Sequence, residues 1–210
     1  MKRLELILAI IIAIAILMKL TLLPSAGIFL FFSIMMLSGI YYPFGFAFFN
    51  NIDLIEITKK ASYKNISVKR IVGAISAGIG ISIICTGILF KISHYPGASV
   101  MLYIGLDLTT LVFIISLFRF FKSKDSFYLN IYKRFAIIGA IGVLMAVLPP
   151  LTIDKIRYHN YPAYIKALEA YTQNPQNDSL NAKMLQDYRK AVVPNADLKG
   201  NTKGMSKEPN

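Results

Sequence analysis

Five stretches of this chain are long, apolar and almost free of charge: Leu4–Leu23, Ala26–Phe49, Ile71–Phe90, Val100–Phe121 and Phe135–Leu148. A bilayer core of ~30 Å takes about 20 helical residues to cross. The first four stretches meet that length, and the fifth does so once Leu151–Ile153 are added. The runs are unbroken rather than alternating, so they read as helices and not as barrel strands. Hydrophobic residues make up 55% of the chain and charged residues 16%, against about 25% charged in soluble domains. That balance excludes a disordered chain and an ordinary soluble domain, and makes the lipid bilayer the first partner.

The runs stop at Pro149-Pro150. The expected fold is therefore an all-α polytopic bundle of five transmembrane helices over residues 1–150, with spans near 4–23, 26–49, 71–90, 100–121 and 135–153. Residues 151–194 are expected to form a short extracytoplasmic helical hairpin. Its first helix would use Ile165, Leu168 and Tyr171. Its second would use Leu180, Met184, Leu185, Tyr188 and Val192, each set at helical spacing. Residues 195–210 read as a disordered tail. The first run could also be a secretory signal, with Met1-Lys2-Arg3 ahead of it and Pro24-Ser25-Ala26 behind. An internal repeat argues that it is kept.

Residues 16–30 (ILMKLTLLPSAGIFL) and 88–102 (ILFKISHYPGASVML) align at an offset of 72, with Lys19/Lys91 and Pro24/Pro96 in register. Each copy lies between two apolar runs, so each reads as the turn of a transmembrane hairpin. Lys19 and Lys91 close one helix and can extend to the interface. Pro24 and Pro96 suit the start of the next. His94 and Gly97 complete the second turn, with His94 read as a helix C-terminal cap. Odd-numbered runs are each preceded by a basic dipeptide: Lys2-Arg3, Lys69-Arg70 and Lys133-Arg134. The expectation is two duplicated hairpins plus one helix.

Charge gives the orientation. Lys2, Arg3, Lys59, Lys60, Lys64, Lys69, Arg70, Arg119, Lys122, Lys124, Lys133 and Arg134 fall on one side, and only Lys19 and Lys91 on the other. The positive-inside rule then places the N-terminus in the cytoplasm and, with five spans, the C-terminus in the periplasm of a bacterial inner membrane. Topology accounts for the net charge of +12, so nucleic acid is not an expected partner.

Inside the spans, Gly73, Ala77 and Gly80, and likewise Ala136, Gly139, Gly142 and Ala146, have the spacing of small residues at helix contacts, within the chain or with a second copy. Asp107 lies within the fourth run, where a carboxylate is expensive and marks a candidate proton or ion site. Thr109 and Thr110 are its neighbours and possible hydrogen-bond partners. One cysteine, Cys85, and two distant histidines, His94 and His159, make no metal cluster. No nucleophile with its base and no phosphate loop is present, so the expectation is a protein that is not an enzyme and uses no cofactor.

Residues 87–106 read GILFKISHYPGASVMLYIGL. This run resembles the Phe-Lys-Ile-x-His-aromatic-Pro-Gly-Ala pattern of the gliding-motility GldL family of Bacteroidetes, over roughly residues 73–121. The resemblance implies a transmembrane hairpin of the type IX secretion and gliding motor, set in the inner membrane and working with a partner membrane protein on proton-motive force. The family's membrane glutamate falls on Thr109 here, and Asp107 lies two residues earlier, roughly across the helix. What the resemblance carries over is the hairpin and its setting, not the motor. The function expected is a non-enzymatic component or scaffold of a membrane assembly, bound to other membrane proteins or to itself. The alternative is a small transporter or proton-conducting subunit built on Asp107.

Overall fold

The computed structural model describes residues 2–64 and 66–192, and every long element among them is helical. In chain order these are α1 (Lys2–Leu20), α2 (Ala26–Asn50), α3 (Val68–Ile92), α4 (Ala98–Ser123), α5 (Ser126–Val147), α6 (Pro150–Arg157), α7 (Pro162–Gln173) and α8 (Asp178–Val192). The segment from Asn195 onward, expected to be disordered, lies outside the described residues. The chain divides into two compact units, Met1–Ile153 and Asp154–Asn210.

In the first unit four helices are long and apolar enough to cross a membrane: Ala26–Asn50, Val68–Ile92, Ala98–Lys122 and Phe127–Val147. The chain is a multi-pass membrane protein. Helix α1 is not among the four, because its 19 residues include Lys2, Arg3, Glu5 and Lys19. The last span also differs from the expected 135–153. Asp125 caps the helix through its carboxylate, which accepts from Phe127 N at 2.9 Å, so α5 starts well before Phe135. It ends at Val147, because Leu148 before Pro149 is extended (φ −60, ψ 127) and the proline cannot continue the ladder. Leu151–Ile153 belong to α6 instead.

Helix α3 is the centre of the bundle and packs against α2, α4 and α5. Its small residues serve two neighbours. Towards α2, a Cβ on Gly78 would lie 2.6 Å from the Tyr41 carbonyl oxygen, and one on Gly45 would lie 2.6 Å from Gly78 Cα. The two backbones therefore touch, as small residues in membrane helices permit. Towards α4, Gly80 faces Thr109, Gly87 faces Leu102, and Gly105 of α4 faces Ile84. Ala77 is fully buried, whereas a Cβ on Gly73 would meet nothing within 4 Å. On α5, Gly142 packs against Ile84 and Leu106, Ala136 is exposed, Ala146 is partly exposed, and Gly139 faces open space.

The two hairpin turns have the same backbone. Leu22 and Ser25 in the first, and His94 and Gly97 in the second, all have left-handed φ, at 56, 63, 57 and 82°. Leu23 N donates to Met18 O at 3.1 Å and Tyr95 N to Phe90 O at 2.9 Å. Leu22 N donates to Lys19 O and His94 N to Lys91 O. Each turn is thus a helix C-terminus closed by paired backwards hydrogen bonds, followed at once by the next helix. Pro24, Pro96 and His94 are exposed and Lys91 is half-buried. Lys19 is 8% exposed, and its ammonium donates to the Ile92 carbonyl at 3.2 Å. A helix C-terminus leaves carbonyls unpaired and carries negative dipole charge, and α3 offers both to Lys19.

In the second unit α7 packs on α8. Tyr164, Ala167 and Ala191 are buried there, with Leu180, Met184 and Tyr188 partly so. The buried stripe of α7 thus falls one residue before the Ile165–Leu168–Tyr171 face read from the sequence. Leu185 and Val192 lie outside the buried face of α8. The rings of Tyr158, Tyr164 and Tyr188 meet one another at centroid distances of 4.7 to 6.0 Å. Burial and the nearby Asp154 carboxylate push the Tyr164 phenol up to about 12, and Arg157 opposes them. This hydroxyl therefore stays protonated throughout the physiological range.

Candidate functional site: polar groups within the bundle

Two arginines tie the helices together at the end where α1, α3 and α5 begin. Arg134 of α5 grips Glu5 of α1 with two bonds, Nε to Oε1 at 2.8 Å and Nη2 to Oε2 at 2.6 Å. The Tyr41 hydroxyl of α2 donates to the same carboxylate and accepts from Arg134 Nε at 3.2 Å. Phe49 lies under the guanidinium at 5.4 Å. The paired side chains are only 10% and 24% exposed, so a planar bidentate pair is sheltered by aromatic rings.

The second clamp is Arg70 of α3. Its Nη1 lies 2.7 Å from Asp125 Oδ2, and its Nε donates to Asn50 Oδ1 at 2.7 Å. The guanidinium lies 4.3 Å from the centroid of the Phe127 ring. Asp125 also caps α5, so one carboxylate both starts that helix and ties it to α3. In each of the dipeptides Lys69-Arg70 and Lys133-Arg134 the lysine is exposed and the arginine half-buried. In the sequence both arginines read as topology charges and repeat markers, not as clamps. A partner 129 residues away leaves no local mark that could have flagged Arg134.

Midway along the bundle, the Ser38 hydroxyl of α2 lies 2.8 Å from Ser82 Oγ and 3.0 Å from Thr86 Oγ1. Polar links of this kind between membrane helices satisfy groups that lipid cannot. They join α2 to α3 beside the Gly45–Gly78 contact.

The three residues expected to form a proton or ion site are not brought together. Thr109 is 4% exposed and lies against Gly80, and its hydroxyl donates back to Gly105 O at 2.8 Å and Leu106 O at 3.0 Å. Asp107 and Thr110 are exposed on another face of α4, which they share with Tyr103, Ile104, Leu111 and Ile114. Residues three and four apart are neighbours on a helix, so Asp107 and Thr110 adjoin while Thr109 does not. The carboxylate therefore stands on an outer surface of the bundle and not in its core. No group of three or more His, Cys, Asp or Glu with metal-binding proximity occurs among the described residues.

Residues 76–141 match the family model described as the GldL N-terminal domain. The segment takes in most of α3, all of α4 and most of α5, roughly a third of the chain. It contains the residues whose pattern carries the resemblance in the sequence and extends it into α5. No curated protein and no solved structure matches the chain.

Proposed function

We propose that this chain is a five-span protein of a bacterial inner membrane that serves as a non-enzymatic component or scaffold of a gliding or type IX secretion assembly. The match of α3–α5 to the GldL N-terminal domain is the observation that carries this reading. Helix α1 counts as the fifth span on two supports: it packs on α2, and its Glu5 is held by Arg134 of α5. With α1 included, α1–α2 and α3–α4 are duplicated hairpins, and α5 stands alone. Other membrane proteins, or further copies of this chain, are the partners.

Deletion of the gene in its native host tests the role. The expected result is reduced spreading or reduced secretion of type IX cargo, restored by the wild-type chain. Normal spreading and secretion would refute the assignment. The exposed Asp107 keeps a second reading open, that of a proton-conducting subunit. An Asp107→Asn chain separates the two in the same complementation. A scaffold keeps at least about half of wild-type function, since asparagine preserves size and hydrogen bonding. A proton carrier loses nearly all of it.

The basic loops face the cytoplasm and the second unit the periplasm in this proposal. In a Cys85→Ser background, Gln176→Cys is expected to react with an impermeant thiol reagent in intact spheroplasts. Ala61→Cys is expected to react only after permeabilisation. The reverse pattern would invert the topology.

A further inference from the structure

A cleft of about 500 Å³ opens between α3, α4 and α5 at their basic end. Val112, Phe127 and Ile131 form its buried floor, and Val72, Leu111 and Ile115 are exposed along its walls. Small side chains make the room. Gly73 faces open space, and Ser76 and Ser116 line the cleft beside it.

The rim has one sign of charge. Lys69 and Arg119 stand there exposed, and among the described residues no carboxylate lines the cleft. Arg70 shares the rim, and its bonds to Asp125 and Asn50 fix that edge in place. The first turn of α3, Val68 to Arg70, adds the positive end of a helix dipole.

The depth also fits a particular ligand. The lining residues of α4 run from Arg119 to Leu108, which at ~1.5 Å per residue is roughly 16 Å. Half of a ~30 Å hydrocarbon core, one leaflet, is about the same. An apolar slot one leaflet deep with two cations at its interfacial end has the shape of a single lipid. Basic pockets between transmembrane helices are known to take anionic headgroups.

We propose that this cleft binds one anionic phospholipid, with an acyl chain along the Val112–Ile131 floor and its phosphate at Lys69, Arg119 and the first turn of α3. The binding depends on the rim and the slot together, and it holds for either orientation of the bundle and for either reading of Asp107.

Native mass spectrometry of the full chain, presented with equal amounts of phosphatidylglycerol and phosphatidylcholine, tests it. One phosphatidylglycerol per chain is expected to be retained in preference to phosphatidylcholine. Lys69→Gln and Arg119→Gln are each expected to lower that retention about fivefold. Gly73→Phe fills the slot while leaving every charge in place, and is expected to abolish it. Ser76→Leu is a second, milder block should the phenylalanine variant fail to fold. Lys122→Gln with Lys124→Gln, which removes exposed charge outside the cleft, is expected to change nothing. Equal retention of the two lipids would overturn the proposal. So would full retention in both slot-filling variants, or a loss in the Lys122/Lys124 variant as large as at the rim. Displacement of the lipid by inorganic phosphate at millimolar concentration would also overturn it, by making the site one for a free anion.

Discussion

Replacing Arg134 with alanine is expected to lower the stability of the bundle in detergent by about 2–4 kcal/mol. Breaking a buried ion pair from one side costs ~3–5 kcal/mol, because the remaining charge is left without its partner. The pair here is partly exposed, at 10% and 24%, which shifts the expectation down from that range by about 1 kcal/mol. Glu5→Gln should cost less, about 1–2 kcal/mol, since the amide oxygen still accepts from Tyr41 and Arg134. The double variant should cost clearly less than the sum of the two, because once Arg134 has gone Glu5 is no longer a benefit. Thermal denaturation of the four proteins gives the coupling energy directly. A coupling near zero would mean that the pair does not hold α1 to α5.

The second large effect is expected at Gly78. An alanine there places a methyl group 2.6 Å from the Tyr41 carbonyl oxygen and 2.8 Å from Gly45 Cα. Both are backbone atoms, so neither can turn aside as a flexible side chain would. Overpacking costs ~1–3 kcal/mol even where side chains can yield, and about 3 kcal/mol or more is expected for Gly78→Ala. Gly73→Ala, five residues earlier, meets nothing within 4 Å. It should be neutral or stabilise by up to about 1 kcal/mol, through the better helix propensity of alanine. The comparison is read as two melting curves in one detergent. Equal melting temperatures would show that α2 and α3 can separate without cost. The two large predictions are also linked. Tyr41 touches Gly78 with its carbonyl and Glu5 with its hydroxyl. Gly78→Ala combined with Arg134→Ala should therefore fall short of additivity.

What the sequence reveals here is whatever a short window contains. Hydropathy over about 20 residues finds α2, α3 and α4. The Lys-x4-Pro pattern finds both turns, and the Phe-Lys-Ile-x-His run finds the segment that the GldL model matches. The limits have the same origin. A basic dipeptide marks a membrane boundary when nothing neutralises it, so Lys133-Arg134 sets the expected start of α5 after it. Glu5 neutralises the arginine of this pair, from the far end of the chain. Small residues also fit more than one register. Gly73, Ala77 and Gly80 were read as one packing face of α3, yet the tightest contact is Gly78 against Gly45, which can be identified only once α2 is in place. Asp107 was legible as an anomaly, but the side of α4 on which it stands follows from packing around Gly105 and Thr109 rather than from hydropathy.

The matching turns have a consequence for symmetry. Lys19 of the first turn donates to Ile92 at the second, so the two turns lie side by side at one end, and the hairpins α1–α2 and α3–α4 run in the same sense. Two helix hairpins so arranged are related by an axis along the bundle, not by one lying across it. Hairpins in this sense give the bundle a polarity, one end carrying arginine clamps and loops, the other carrying two compact turns.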